Sequence, residues 1–248
     1  MAATGKLTTH VLDVARGRPA AGVEVELLRH SPDGGTPDSV TRTRTNDDGR
    51  TDGPLVAEGE LMPVYVHVID HTEARVLVDT GLTRLHPAVA DMDPRLYPLT
   101  GQDFDLGSVD MVVNTHLHFD HCGDNHLFAG KPIYVQRREL EDARTQEDYT
   151  IPEWVDPPGI TYVPVDGEHD LLPGIRLLPA PGHTAGSQIV VIDAGDAPTV
   201  IAGDTAVWFG ELDNPRTEGQ QLVRSLNPGT VWLTHTHTPW RPGSTEPE

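Results

Sequence analysis

VDMVVNTHLHFDHCGDN, residues 109–125, joins two patterns that seldom meet. Its first part is an apolar, β-branched run of strand length, as expected for a strand covered on both faces. The run ends in His116-Leu117-His118-Phe119-Asp120-His121, three imidazoles and a carboxylate within six residues. In a chain of this length with 13 His, composition alone would produce H-x-H-x-D-H on the order of 0.003 times. Side chains alternate along a strand, so His116 and His118, two apart at its exit, project to one side. The turn that follows swings Asp120 and His121 toward a neighbouring point. The stretch therefore offers two pairs of ligands.

Working outward, three more segments follow the same grammar, an apolar strand whose exit carries a candidate ligand: LLPAPGHT delivers His183, TVIAGD delivers Asp204 and VWLTH delivers His235. Imidazole and carboxylate suit Zn²⁺ or a similar borderline metal, and the single cysteine, Cys122, rules out a thiolate cage. The count of seven allows two divalent ions, with His116, His118 and His183 on one, Asp120, His121 and His235 on the second, and Asp204 between them. VLVDTG adds a further strand-exit acid, Asp79. It is expected behind the ligands, hydrogen-bonded to an imidazole whose tautomer it fixes. Cys122 reads as a small buried filler, His237 as pocket lining or surface, and His126 as a residue at a helix start.

Composition bounds the rest. The 18 Lys+Arg against 38 Asp+Glu leave a formal charge of −20, which argues against nucleic-acid phosphate or an anionic membrane as partner. One cysteine fits a reducing compartment, and neither a signal-peptide core nor a membrane-spanning run is evident, so a cytoplasmic protein is expected. Residues 1–60 read as short β segments with turns; in GVEVELL, Val23, Val25 and Leu27 alternate inward against Glu24 and Glu26. From residue 61, apolar strands alternate with loops rich in His, Asp and Gly, and with helical patterns in RRELEDARTQ and TEGQQLVRSLN. The alternation lacks the regularity of a parallel βαβ array, which favours a layered α/β sandwich.

VLVDTG, THLHFDHCGDN, PGHTAGS, IAGD and the closing LTH together resemble the metallo-β-lactamase superfamily over residues 61–248. The resemblance implies an αββα sandwich with a metal centre at one edge, and the same ligand roles. Within that superfamily, the His121-to-His183 gap, PGHTAGSQ and THTHTPWRP are similar to N-acyl homoserine lactonases. Two features depart from that pattern: Val207 stands where those lactonases carry a tyrosine, and PLTGQDFDLGSVDMVV leaves little room for the helix that usually precedes the metal strand. TTHVLD, GRPAAGVEVEL and TNDDGRTDGPL resemble the first half of 5-hydroxyisourate hydrolase, a transthyretin-like enzyme. That likeness carries His10 and Arg50 over as former active-site residues without the rest of its site, and implies half of a transthyretin-like sandwich without hydroxyisourate hydrolase activity.

These readings converge on a dinuclear metal hydrolase for a small-molecule substrate. Two cations bridged by Asp204 would generate a metal-bound hydroxide, Asp120 would orient it and pass a proton to the leaving group, and a lactone ring would open. A homodimer is compatible with this reading. The alternatives are a hydrolase of the same fold acting on another ester, a thioester, a phosphodiester or a β-lactam, a di-iron redox protein, and a non-catalytic metal-binding fusion.

Overall fold

The computed structural model describes residues 12–13, 18–29, 38–47, 62–92, 94–97, 99, 105–193 and 195–244. The chain divides into two compact units, Met1–Met62 with Leu85–Arg95, and Pro63–Arg84 with Leu96–Glu248.

In the first unit, β1 (Leu12–Asp13) pairs antiparallel with β2 (Arg18–Pro19), and β3 (Glu24–Arg29) pairs antiparallel with β4 (Asp38–Arg44) through a register shift between Leu27 and Leu28. A 3₁₀ helix covers Pro87–Met92. Val23 corrects the expected alternation, because its side chain is exposed. The strand begins one residue later, and Val23 instead gives its N–H to Thr45 Oγ1 at 3.0 Å in the bridge that closes the hairpin. His10 and Arg50 lie outside the described residues.

In the second unit, β5 (His67–Asp70), β6 (Arg75–Val78), β7 (Met111–Val113), β8 (Pro132–Gln136) and β9 (Thr161–Val165) form one sheet in that order, antiparallel at β5/β6 and parallel thereafter. A second sheet runs β10 (His169–Leu172), β11 (Ile175–Pro179), β12 (Gln188–Ile192), β13 (Thr199–Gly203) and β14 (Thr230–Leu233), antiparallel until the parallel β13/β14 pair. The helices are α1 (Phe119–Cys122), α2 (Arg137–Thr145), α3 (Pro152–Val155), α4 (Phe209–Asp213) and α5 (Glu218–Ser225).

Apolar runs in these strands are continuous because both faces are covered. Val76, Val78 and Val113 meet Ile175, Leu177, Val190 and Ile201 between the sheets. On the outer face of the first sheet, Leu77, Val112 and Ile133 pack with Val109 and Phe128, while Val135 and Leu117 pack under Leu140, Ala143 and Val155 of α2 and α3. On the outer face of the second sheet, Ile189, Val191, Val200 and Leu233 pack against Phe209, Leu212 and Val223 of α4 and α5. The result is the expected αββα sandwich. Helix α5 starts where the sequence signals it, since Thr217 and Gln220 form a reciprocal capping box. Ahead of β7, the described residues hold a 3₁₀ turn at Leu106–Ser108, in keeping with the short lead-in. Among the described residues, no helix is long and apolar enough to cross a membrane.

Candidate metal centre

Strands β6, β7, β11, β13 and β14 end at one place. The exit of β7 supplies His116, His118 and, through the single helical turn of α1, Asp120 and His121; the exits of β11, β13 and β14 supply His183, Asp204 and His235. The seven candidates named from sequence come together in three overlapping groups: His116, His118 and His183; His116, His121 and Asp204; Asp120, His121 and His235. Within each group the potential ligand atoms lie within 4.8 Å of one another. The first and third groups reproduce the two sets that counting allowed. In the other group Asp204 adjoins one histidine from each.

Asp204 Oδ2 lies 3.1 Å from His235 Nε2 and 3.6 Å from His183 Nε2, while its Oδ1 lies 3.4 Å from His121 Nε2. Asp120 Oδ2 stands 3.7 Å from His121 Nε2 and 3.8 Å from His235 Nε2. His118 Nδ1 and His183 Nε2 are 3.0 Å apart. Outer partners turn the rings. His121 Nδ1 meets Asp79 Oδ2 at 2.9 Å and His235 Nδ1 meets the carbonyl of Pro63 at 2.7 Å, so in both residues Nε2 faces the cluster.

Asp79 therefore sits behind a cluster imidazole. It occupies the left-handed region, φ 60°, which Asp tolerates better than most residues. There its carboxylate also accepts from Thr115 N and Thr115 Oγ1, each at 2.7 Å. Gly203, immediately before Asp204, has φ 53°, and a Cβ there would fall 2.5 Å from Thr115 Oγ1. Glycine is required at that point, and the end of β13 thereby lies directly against the Thr115 side chain at the β7 exit.

Electrostatics divides the cluster. Burial, followed by the neighbouring imidazoles, pushes His116 well below the ordinary histidine value and His118 down to about 4; burial also lowers His183. These three present neutral lone pairs. Burial acts against charge on His121 too, yet Asp204, Asp120 and Asp79 outweigh it and hold His121 well above its ordinary value. His235 is raised over the opposing effect of burial by Asp204 and Asp120, and Asp204 is held well below the usual carboxylate range by His121 and His235 despite its burial.

Three buried atoms of the cluster, His116 Nε2, His121 Nε2 and Asp204 Oδ1, have no hydrogen-bond partner. A buried polar atom without a hydrogen bond costs about 1–3 kcal/mol; His121 Nε2 and Asp204 Oδ1 meet only as an ion pair at 3.4 Å, and all three atoms point into one group of nitrogen and oxygen donors. A divalent cation satisfies such a set, so the residues fit the metal that the sequence implies.

Other residues fall as follows. Cys122 is buried, its Sγ donating to the carbonyl of Leu117. His126 lies inside a 3₁₀ turn, Asn125–Phe128, with Nδ1 3.9 Å from Asp124 Oδ1. His237 is exposed and meets the Tyr65 hydroxyl at 2.7 Å. Val207 gives its backbone N–H to Glu211 Oε2 and brings no hydroxyl. Reading the sequence missed Thr115, Pro63, Glu139 and Tyr149. Of these, only Thr115 lay inside a quoted metal motif; a backbone carbonyl leaves no signal in sequence, and Glu139 reads as one more surface acid of an amphipathic helix.

The chain matches the metallo-beta-lactamase superfamily over residues 59–241 and the HIUase/Transthyretin family over residues 7–91. An N-acyl homoserine lactonase of Bacillus sp is 30% identical over 176 residues, 63% of this chain and 70% of the relative. A 5-hydroxyisourate hydrolase of Deinococcus radiodurans is 62% identical over 69 residues, 26% of this chain; the match spans about half of that relative, 56%. Among solved structures, an N-acyl homoserine lactone hydrolase with N-hexanoyl-L-homoserine at its catalytic metal centre superposes with a TM-score of 0.61 at 20% identity, covering 95% of this chain and 94% of that one; this likeness is one of fold. The transthyretin-like match runs past residue 60 and overlaps the hydrolase match over 59–91. Over its larger part, from residue 59 to residue 241, the chain belongs to the metallo-beta-lactamase superfamily of metal-dependent hydrolases.

Proposed function

We propose that the chain is a dinuclear zinc hydrolase that opens lactone rings, N-acyl homoserine lactones or related compounds among them. The observation that carries this reading is the pair of three-donor sets with the buried carboxylate of Asp204 between them. In this reading His116, His118 and His183 hold one ion, Asp120, His121 and His235 hold the other, and Asp204 reaches both. Two divalent ions, when bound, polarise an ester carbonyl and bring the pKa of a bound water toward neutrality. Asp120 is the least buried carboxylate of the cluster, its side chain 19% exposed against 7% for Asp204. It is placed to take a proton from the attacking water and give it to the ring oxygen as the C–O bond breaks. Water adds across that bond, and ionisation of the new carboxylic acid releases one proton per turnover. The substrate class rests on the Bacillus relative. The formal charge of −20 disfavours polyanionic substrates.

The test joins elemental analysis to a substrate panel. The zinc-loaded chain should hold two ions per protomer and acidify a weakly buffered indicator solution with aliphatic and N-acyl homoserine lactones. Asp120→Asn should reduce that rate at least a hundredfold. One ion or none after loading with excess zinc would overturn the dinuclear reading. Turnover of thioesters or phosphodiesters with none of lactones would overturn the lactonase reading and leave the superfamily standing.

A further inference from the structure

Glu139, the third residue of α2, is fully buried yet belongs to none of the donor groups. Its Oε1 accepts from the backbone N–H of Leu117 at 2.8 Å and from the Tyr149 hydroxyl at 2.6 Å; its Oε2 accepts from Thr184 Oγ1 at 2.6 Å. Leu117 lies between His116 and His118, and Thr184 follows His183. One carboxylate thus spans the two chain segments, one from each sheet, that carry the three-histidine set. The approach is close. A Cβ on Gly186 would fall 2.2 Å from the backbone nitrogen of Glu139 and 2.4 Å from its Cα, so the loop after His183 lies directly on the start of α2. Ser187 Oγ completes the tie, 2.6 Å from the Thr184 hydroxyl and accepting from Thr184 N at 3.2 Å. The Tyr149 ring, held by the same carboxylate, stands 5.2 Å from the ring of His118.

Burying an acid in an apolar layer is costly unless every acceptor is matched. Here two of the three donors are chain neighbours of the set's histidines, and the third is the hydroxyl of the Tyr149 ring that stands against His118. We infer that Glu139 is the positioning residue of that set, fixing His116 and His118 relative to His183 at the separation one ion requires. It touches neither the ion nor the substrate and acts through Leu117 N, Thr184 and Tyr149. The inference rests on the proposed metal-holding role of those three histidines.

Cobalt titration of the metal-free full chain against a competing chelator, followed by visible absorption, tests it. The three-histidine set is read alone in a His235→Ala background, and the Asp120–His121–His235 set in a His118→Ala background. Loss of such an outer partner typically weakens metal binding about 10- to 100-fold, and Glu139→Ala should do so at the three-histidine set while leaving the other set unchanged. Glu139→Gln should stay within about threefold of the parent: its Oε1 still accepts from Leu117 and Tyr149, and its amide donates to Thr184, whose hydroxyl turns to Ser187. Thr184→Val removes one tie with Glu139 in place and should weaken the same set by at least threefold, which keeps the test alive if Glu139→Ala does not fold. Equal weakening of both sets, wild-type binding by Glu139→Ala or Thr184→Val, or a Glu139→Gln chain as weak as Glu139→Ala would overturn the inference. A parent chain that takes up no cobalt would overturn the metal reading and this inference with it.

Discussion

Replacing Asp79 by Asn isolates the contribution of one carboxylate oxygen. The amide keeps the side-chain shape and tolerates the left-handed backbone at φ 60°, so the turn after β6 survives. Its Oδ1 still accepts from Thr115 N, and the Thr115 hydroxyl can rotate to accept from the new amide. The fully buried ring of His121 has no such freedom: its Nδ1, now 2.9 Å from Asp79 Oδ2, would face an NH₂ group. Either that donor is left unpaired, at about 1–3 kcal/mol, or its proton moves to Nε2, the nitrogen that faces Asp204 and Asp120. Outer-partner losses of 10- to 100-fold in metal affinity correspond to about 1.4–2.7 kcal/mol. The two scales agree. Asp79→Asn should therefore weaken the Asp120–His121–His235 set about 30-fold and change the three-histidine set less than threefold, read by chelator competition on the zinc-loaded chain. Lactone hydrolysis should fall in proportion to the lost ion. Wild-type affinity at the His121 set, or equal loss at both sets, would refute the account of Asp79. Asp79→Ala should be less stable than Asp79→Asn by a further ~1 kcal/mol, because alanine is strained at that φ.

Three further outcomes follow from particular contacts. Gly203→Ala, whose new methyl would meet Thr115 Oγ1 at 2.5 Å and Thr115 Cβ at 2.7 Å at a positive φ, should destabilise the chain by about 3 kcal/mol or leave it insoluble; a melting temperature within 2 °C of the parent would contradict this. Burial lowers the pKa of His67 beneath its ordinary 6.5, with Asp79 acting against it. As pH falls through 6.5 the unfolded chain then binds a proton that the folded chain refuses, so stability drops on the acid side; His67→Phe should flatten that limb between pH 7.5 and 5.5, and superimposable acid limbs would show that His67 has no part in it. Cys122 is buried and burial raises its thiol pKa far above the ordinary value, so thiol reagents should label it only on unfolding.

The architecture was legible where local chemistry and tertiary environment coincide. Apolar runs such as VLV and VIA had to be covered on both faces, and TEGQQLVRSLN carried the helical pattern of α5. The candidate donors were legible for the same reason, since they follow buried strands and the four carrying strands finish at one edge. The parallel pairings were not, because β6/β7, β7/β8, β8/β9 and β13/β14 each join segments separated by a long connection. Val23 was misread because alternation was extended one residue before the strand began. Glu139 escaped for a different reason: in RRELEDAR it is one acid among several charged residues, and only the backbone approach of Gly186 and the Leu117 turn makes it internal.

The placement of the donors couples the centre to the fold. The three-histidine set draws two residues from the exit of β7 in the first sheet and one from the exit of β11 in the second. The other set draws Asp120 and His121 from the first sheet and His235 from the second, while Asp204 comes from the second sheet between them. Each ion would therefore cross-link the two sheets at their open edge. A ligand bound only by the folded state at 100 times its dissociation constant adds about 2.7 kcal/mol, and two ions add about 5 kcal/mol, comparable to the whole stability of many domains. At roughly 2–4 °C per kcal/mol for a chain of this size, stripping the metals should lower the melting temperature by about 10–20 °C, and graded return of zinc should restore it in step with occupancy. The carboxylates limit the loss: with no cation present, Asp204 still pairs with His121 of the first sheet and with His235 of its own, so the stripped chain should remain folded at 25 °C. A melting temperature that does not move on stripping, while two ions are shown to leave, would mean that the cluster is rigid without its metals and that the sheets are held by their apolar interface alone.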